Sequence, residues 1–368
     1  ADTMKATFLI PGWITGLATA SVVGFVIVGG IKRIGRVTAS LMPIMAIIYV
    51  LGALIILLLN VEKVLPAFGT IIEYAFTPKA GAFGIGSGLF LTTLVWGIKR
   101  GLFSNEAGQG SAPIAHGAAR TKEPVREGVV ALLEPFIDTL VVCTMTGLVI
   151  VSTGVWEQKH PTVFTTNALE ASFEIDDEST ILTISNGVPV NGDILRNDYS
   201  YGEFYTDKDR KELFSGQIVV LEDGSVTIQT LTGENLGELQ TSIVENGAPL
   251  TALAFEKGLS PLFSGGKYIV TICVILFGVS TAISWSYYGD RSIQYLAGDS
   301  SIIYYKMVYL VMHFLGAILA LETVWAIGDI ALGLMTFPNI IALFALSGVV
   351  AKATKTYFDS YKENQGTE

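Results

Sequence analysis

The chain has 368 residues, of which 51% are hydrophobic and only 15% are charged, whereas soluble domains carry about 25% charged residues. Its net charge of −10 is not spread evenly, because residues 157–257 carry −12, with 18 acidic against 6 basic side chains, and the remainder sums to +2. This composition excludes an ordinary soluble protein, and the acidic balance belongs to one segment. No nucleic-acid partner is predicted.

Seven apolar runs are long enough to cross a membrane as helices. About 20 residues span a hydrocarbon core of roughly 30 Å, and each run is apolar on all its faces, as lipid-facing helices are. The chain enters the first run almost at once, with neither an initiator Met nor a signal peptide, so we expect it to be part of a longer protein. The predicted membrane helices are 12–31, 38–60, 82–103, 127–153, 265–286, 303–321 and 325–351.

The charges of the short loops predict the orientation. Lysines and arginines cluster at 32–36, 120–126 and 352–362, in alternate loops, and the positive-inside rule places these loops in the cytoplasm. The loop at 299–305 follows the same pattern weakly, with only Arg291 and Lys306 beside it. We therefore predict a multi-pass protein of the cytoplasmic (inner) membrane, in which the intervening loops lie outside.

The acidic segment 155–262 has the pattern of a soluble, β-rich domain. Two β-branched runs between Ile218 and Leu231 flank Glu-Asp-Gly-Ser, which is typical of a hairpin. Residues 172–175 and 180–184 alternate with a period of two, as half-buried strands do. The predicted organisation is transmembrane helices at 1–154, an acidic β-rich extracytoplasmic insertion at 155–262, transmembrane helices at 263–352 and a cytoplasmic tail at 353–368.

A run of small and polar residues directly follows the third apolar run. Between residues 97 and 116 it contains glycines, which weaken helices, and Pro113, which cannot donate a backbone hydrogen bond. Non-helical backbone at membrane depth is tolerated where protein buries it or water lines it, and transporters use such breaks to bind substrate and ions. The stretch is either such a break, with Glu106 as an intramembrane charge, or a structured cytoplasmic loop.

Five motifs follow one another along the chain: Gly29-Gly-Ile-Lys-Arg-Ile34, Arg100-Gly-Leu-Phe-Ser-Asn-Glu-Ala-Gly-Gln-Gly-Ser-Ala-Pro-Ile-Ala-His116, Pro135-Phe-Ile-Asp-Thr139, Phe277-Gly-Val-Ser-Thr-Ala-Ile-Ser-Trp-Ser-Tyr-Tyr-Gly289 and Leu334-Met-Thr-Phe-Pro-Asn-Ile340. These motifs resemble those of the sodium:alanine symporter family. Their spacing is family-like apart from the acidic segment, and the resemblance covers 11–156 and 250–357.

The resemblance implies an all-α polytopic membrane protein with a partial inverted-repeat fold, similar to the neurotransmitter:sodium symporters. Such proteins have two inverted repeats of five helices and an extra N-terminal helix. The first several helices of that arrangement, including the broken first helix of repeat one, are not in this sequence. The missing N-terminal helices of the same protein are therefore expected partners, and this chain is not expected to transport alone. The β-rich insertion at 155–262 also departs from the short loop usual in the family.

The resemblance further implies where the substrate binds. The third span would be the broken helix that opens repeat two, with its backbone amides and carbonyls on the amino and carboxylate groups of a small amino acid. Phe103 would limit the size of the substrate side chain, and Trp285 would face the pocket. The alternatives are helix packing for Phe103 and an interfacial position for Trp285. The residues expected at the pocket are Phe103, Ser104, Asn105, Ala107, Gly108, Gly110 and Trp285.

Ser280 and Thr281 form an adjacent hydroxyl pair in the fifth apolar run. Because proteins of this fold usually place such a pair on a sodium ion, the resemblance implies that both residues coordinate the co-transported Na+. Oxygen ligands suit a hard cation, and hydroxyls supply them without a buried charge. The alternative is that each hydroxyl hydrogen-bonds the preceding helical turn.

Three other polar residues lie in predicted spans. Asp138 is expected to face protein, because an ionised carboxylate in lipid is costly, and to make a structural or gating contact, with a sodium ligand as the alternative. Asp329 is expected to be interfacial. Asn339 follows Pro338 and is expected at a helix break that acts as a hinge.

The predicted function is sodium-coupled symport of a small neutral amino acid, alanine or glycine, with the lipid bilayer as the other partner. The alternative is a membrane-anchored sensor or scaffold that presents the β-rich domain, although a pure anchor does not need the helix break. An enzyme is not predicted, because the sequence has no paired-Asp, His-Glu-x-x-His or Gly-x-Ser-x-Gly constellation.

Overall fold

The structure is a computed structural model in which helices dominate and one segment forms strands. It describes residues 1, 4, 8, 10–76, 88–104, 106, 108–166, 171–175, 180–196, 199–221, 225–319 and 321–365. Of the predicted site residues, Asn105 and Ala107 lie outside the described residues, and Ser104 is described for its backbone alone.

All seven predicted apolar runs coincide with helices, the one at 82–103 being described from Gly88 onward. Five helices of the described chain are long and apolar enough to cross a membrane: Ile31–Leu59, Pro124–Thr153, Gly266–Ala297, Asp299–Ile318 and Thr323–Tyr361. We label the helices α1 (Gly12–Ile27), α2 (Ile31–Leu59), α3 (Val61–Phe76), α4 (Gly88–Ser104), α5 (Ala112–His116), α6 (Pro124–Thr153), α7 (Gly247–Leu259), α8 (Gly266–Ala297), α9 (Ile302–Ile318) and α10 (Leu321–Gln365).

Glycine and proline shape the ends and bends of these helices. Gly30 separates α1 from α2 with a φ of 71°, a left-handed conformation that glycine adopts without steric cost. Pro135 precedes a π-helical stretch within α6, Phe136–Cys143, which includes Asp138. α10 continues through Pro338, so the predicted helix break at Asn339 is wrong, because a membrane helix can tolerate the one hydrogen bond that proline removes.

Three helices, α3, α5 and α7, had not been predicted. α7 lies within the segment assigned to the β-rich insertion, but it packs into the helical part of the protein. Phe255 and Ala254 of α7 are fully buried against Ala53 and Ile56 of α2. Glycine allows this close approach, because a Cβ added at Gly258 would lie 2.5 Å from the Ile56 side chain.

The strands occupy residues 159–244 and form three antiparallel groups. The group orders are β1-β10, β2-β5-β6 and β4-β3-β7-β8-β9. The predicted hairpin corresponds to β7 and β8, in which Ile218 pairs with Ile228. The strands are β1 (Lys159–Thr165), β2 (Ser172–Ile175), β3 (Ile181–Ser185), β4 (Val188–Pro189), β5 (Gly192–Arg196), β6 (Tyr199–Ser200), β7 (Gly216–Val220), β8 (Val226–Thr230), β9 (Asn235–Leu236) and β10 (Glu238–Val244).

The strands enclose a hydrophobic core of their own. Alternate residues of the strands point inward, and three phenylalanines, Phe164, Phe204 and Phe214, are buried with them. Lys159 at the start of β1 pairs with Val244 at the end of β10. The chain therefore leaves α6 and returns to α7 at neighbouring points, so both ends of the β-rich segment face the same end of the helices.

The outer faces of the helices are apolar. Leu334, Phe337 and Phe344 of α10 are 72%, 72% and 78% exposed, whereas soluble monomers rarely expose large contiguous apolar patches. On the inner side, Ile283 of α8 is fully buried among Val23, Ile27 and Ile34. This distribution fits a bundle surrounded by lipid, with α8 in its interior.

The predicted orientation leads to a labelling experiment. In a background with Cys143 and Cys273 replaced by alanine, we expect an impermeant maleimide to modify Thr232→Cys, in the loop between β8 and β9, in intact cells. Lys122→Cys, which is also exposed, should react only after the cells are permeabilised, because the basic loop is placed inside. The opposite labelling pattern would show that the orientation is inverted.

Candidate functional site

The stretch between α4 and α5 is a break in helical structure. α4 ends at Ser104 and α5 begins at Ala112. Between them, Glu106 and Gly110 have φ values of 53° and 83°, in the left-handed region. Glycine adopts this region readily, but a glutamate there is uncommon and marks local strain. Gly110 and Glu106 thus give the backbone its sharp change of direction.

Asn339 of α10 holds this break in place. Its side-chain N–H donates to the carbonyl oxygen of Gly108 at 2.9 Å, and a Cβ added at Gly110 would lie 2.9 Å from its Oδ1 atom. Asn339 is 16 residues past the start of the membrane-spanning stretch Thr323–Tyr361, or about 24 Å along the helix axis. The break therefore lies beside the apolar part of α10, which favours a break at membrane depth over a cytoplasmic loop.

Glu106 joins the break to α8. Its carboxylate accepts hydrogen bonds from Trp285 Nε1 at 3.1 Å and from Ser111 Oγ at 3.0 Å. Phe103 stacks on Trp285, with ring centroids 5.6 Å apart and planes inclined by 28°. Since a half-buried carboxylate also needs hydrogen-bond donors, these contacts fix both the glutamate and the tryptophan.

A cavity of about 490 Å³ lies beside this junction. Of the predicted site residues, Gly110 and Trp285 line it, and Gly108 is linked to it through Asn339. Phe103 is not part of the wall and contacts it through Trp285. The lining residues are Gln109, Gly110, Ser111, Ile114, Trp285, Tyr288, Gly289, Ser292, Tyr305, Tyr309, Met335, Pro338 and Asn339.

The hydroxyl pair of α8 is divided between two environments. Ser280 is buried, and its Oγ donates to the carbonyl of Phe277 at 3.0 Å and lies 3.6 Å from Met42 Sδ in α2. The Ser280 hydroxyl thus bonds the preceding helical turn, which was the alternative to sodium binding. Thr281 is half-buried and, four residues before Trp285, shares the face of α8 that bears the tryptophan.

Two ion pairs within the bundle were not predicted. Asp290 of α8 and Lys306 of α9 lie 3.1 Å apart, with side chains 6% and 10% exposed, next to Gly289 and Tyr305 of the cavity wall. Lys306 had been considered only as a loop marker. Asp329, predicted to be interfacial, accepts from Lys99 of α4 at 2.9 Å. A charged residue within an apolar run, as Lys99, Lys306 and Asp329 are, is the signal that could have identified these pairs.

Gln109 is the other residue that the sequence interpretation did not include. It is only 3% exposed, and neither its amide nitrogen nor its amide oxygen has a hydrogen-bond partner among the described residues. The described part of the chain has no group of three or more His, Cys, Asp or Glu side chains that could hold a metal ion.

Comparison with known proteins identifies the relatives of this chain. The sequence profile described as the sodium:alanine symporter family matches residues 1–204 and 213–368. An uncharacterized transporter of Haemophilus influenzae is 35% identical over 98% of this chain and 60% of its own length. The sodium/alanine symporter AgcS of Methanococcus maripaludis is 35% identical over 99% of this chain and 61% of its own length.

A more distant relative is the sodium/proton-dependent alanine carrier protein of Bacillus sp. strain PS3. It is 28% identical over 100% of this chain and 66% of its own length. The chain thus spans about three-fifths of the length of the first two relatives. The matched residues include most of the strand-forming segment 159–244.

Proposed function

The chain belongs to the sodium:alanine symporter family, a family of transporters and not of enzymes, and on this premise we propose that it performs sodium-coupled symport of a small neutral amino acid. Alanine or glycine is the proposed substrate, and the cytoplasmic membrane is the proposed location. The β-rich segment is proposed to lie outside the cell. The names of two relatives, a sodium/alanine symporter and an alanine carrier, support this substrate class.

The observation that carries the proposal is the helix break between α4 and α5, packed against α8 and α10. Backbone groups freed from helical hydrogen bonding can bind the charged ends of an amino acid, and at membrane depth such groups need partners. The Glu106–Trp285 hydrogen bond, 3.1 Å long, holds the break against α8, so a movement of either element is transmitted to the other. A scaffold for the β-rich segment does not require this arrangement.

The substrate is proposed to lie against the break, in the cavity beside Trp285. Backbone groups near Gly108 and Gly110 would bind its amino and carboxylate groups. Phe103 would limit the size of its side chain indirectly, by holding the ring of Trp285 in the stacked position. The other residues proposed to border the pocket are Ser104, Asn105 and Ala107.

Sodium is proposed to bind at Ser280 and Thr281. Thr281 has the stronger support, because it shares a helix face with Trp285 and its side-chain hydroxyl has no hydrogen bond among the described residues. Ser280 would have to turn its hydroxyl away from the Phe277 carbonyl, which it contacts at 3.0 Å. Sodium bound on the substrate side of α8 would couple ion and substrate binding, because each would stabilise the same arrangement of α8 and the break.

Transport in proteoliposomes tests the proposal. With the product of the complete reading frame reconstituted, an inward sodium gradient should drive accumulation of L-alanine and glycine above the external concentration. Replacement of external sodium by choline should reduce the initial rate by about tenfold or more, as a coupling free energy of 1.4 kcal/mol or more implies. Protein-free liposomes under the same gradient are the control.

Three results would contradict this proposal. Uptake that is equal in sodium and in choline would exclude sodium coupling. Uptake driven only by a proton gradient in choline would replace sodium by protons. No uptake of alanine or glycine, by protein that is folded and correctly inserted, would favour the anchored scaffold.

A further inference from the structure

Most polar groups on the cavity wall already have partners within the protein. The hydroxyl of Ser292 donates to the Tyr288 carbonyl at 2.9 Å, and that of Tyr309 donates to the Ala282 carbonyl at 2.6 Å. The wall's Asn339 and Ser111 are bonded to the helix break, as described above. These groups shape the cavity, but their hydrogen bonds are used within the protein.

Gln109 is different from these residues. Its side chain lines the cavity and is 97% buried, yet both polar atoms of its amide lack a protein partner within the described part of the chain. An unsatisfied buried polar group costs about 1–3 kcal/mol, and an amide carries one donor group and one acceptor that both need partners. A leucine or methionine would fill the same space without this cost, so the amide has a use at this position.

We propose that Gln109 binds the transported amino acid directly, its N–H group donating to the α-carboxylate and its carbonyl oxygen accepting from the α-ammonium group. This inference rests on the proposed function and adds a side-chain contact to a site otherwise built from backbone groups. The two charged groups of an α-amino acid are attached to the same carbon atom. They can therefore meet the oxygen and nitrogen of one amide together.

The position of Gln109 in the chain supports this role. It lies between Gly108 and Gly110, the two residues of the break that Asn339 contacts. Gly110 has a φ of 83°, so the backbone turns sharply beside Gln109. A side chain at this turn is held by backbone geometry and not by its own hydrogen bonds, so its buried amide can turn toward a bound ligand without breaking a hydrogen bond to the described residues.

Binding and stability measurements on the same variants test the proposal. We measure the Kd for L-alanine at saturating sodium, by isothermal titration calorimetry, for the purified wild-type protein and for Gln109→Met, which keeps the length of the side chain and removes both polar atoms. Hydrogen bonds to charged groups contribute about 1.5–3 kcal/mol, so Kd should rise about 10- to 100-fold. The melting temperature without alanine should not fall, because replacing an unpaired buried amide by an apolar side chain is neutral or stabilising.

Gln294→Met is the matched control. Gln294 is on α8, outside the cavity wall, and its amide already donates to Asp299 at 2.5 Å, so the Kd for alanine should stay at the wild-type value. A Gln109→Met variant that binds alanine as tightly as wild type would overturn the proposal and assign the amide to bound water. A lowered melting temperature with unchanged Kd would show that the Gln109 amide stabilises the fold and does not bind the substrate. If the wild-type protein itself binds no alanine, the proposed function fails. This result differs from a failure of the Gln109 proposal, in which the wild-type protein binds alanine and Gln109→Met binds it equally well.

Discussion

Lys306→Met is expected to destabilise the protein by about 3–5 kcal/mol, because it leaves a buried aspartate without its partner. Lys306 Nζ lies 3.1 Å from Asp290 Oδ2 and also donates to the carbonyl of Ile27 at 2.9 Å. The ion pair therefore joins α9 to both α8 and the end of α1. Asp290 Oδ1 has no hydrogen-bond partner among the described residues. Lys306 is therefore the main group that offsets the cost of burying the aspartate charge.

The measurement is the free energy of unfolding in detergent micelles, for Lys306→Met, Asp290→Asn and the double variant. The double variant should recover much of the loss, since removal of both charges leaves no unpaired ion in the interior. Lys211→Met is the matched control, because Lys211 pairs with Asp209 at 3.3 Å while their side chains are 79% and 75% exposed. Such surface pairs contribute about 0–1 kcal/mol.

If Lys306→Met is no more destabilising than Lys211→Met, the buried pair does not stabilise the fold. A double variant that is less stable than both single variants would also contradict this account. In that case each charge would stabilise the protein through its contacts with other groups, and not through the ion pair.

The second large effect is expected at Thr281. Thr281→Val removes the hydroxyl but keeps the shape of the side chain, so sodium would lose an oxygen ligand without a change in packing. Interactions with a charged group contribute about 1.5–3 kcal/mol, and the sodium concentration for half-maximal alanine uptake should rise about tenfold or more. Because sodium and substrate binding are linked, alanine affinity should fall at low sodium and recover at high sodium.

Two variants serve as controls for this experiment. Thr281→Ser retains the oxygen and should keep the sodium curve near that of wild type. Phe103→Ala removes the ring that stacks on Trp285, so bulkier amino acids should be accepted while the sodium dependence changes little. If Thr281→Val is expressed normally and leaves the sodium curve unchanged, Thr281 is not a sodium ligand.

Local patterns in the sequence determined the parts of the fold that depend on neighbouring residues. Each of the seven apolar runs became a helix, because about 20 apolar residues satisfy their backbone hydrogen bonds internally. The alternating runs around residues 218–231 became the hairpin of β7 and β8. The glycines of the second motif indicated the break between α4 and α5, because glycine alone adopts left-handed φ values freely.

Local sequence patterns did not predict α7. Its residues follow an acidic, turn-rich segment, and nothing in their local spacing says that they leave it. Fully buried alanine and phenylalanine side chains pack it onto α2, and this contact joins residues about 200 positions apart. Packing against distant helices makes α7 part of the helical bundle and not of the β-rich segment, since the burial of a short helix depends on its neighbours in space.

The sequence by itself therefore determined that this protein crosses a membrane, that the chain is interrupted between α4 and α5, and which family its motifs resemble. The tertiary structure alone decided which polar residues meet. Glu106 meets Trp285, Lys306 meets Asp290, Ser280 turns toward Met42, and Gln109 remains without a protein partner. The physical reason is that helix formation depends on neighbouring residues, whereas a buried polar group is satisfied by whatever the packing of distant helices places beside it.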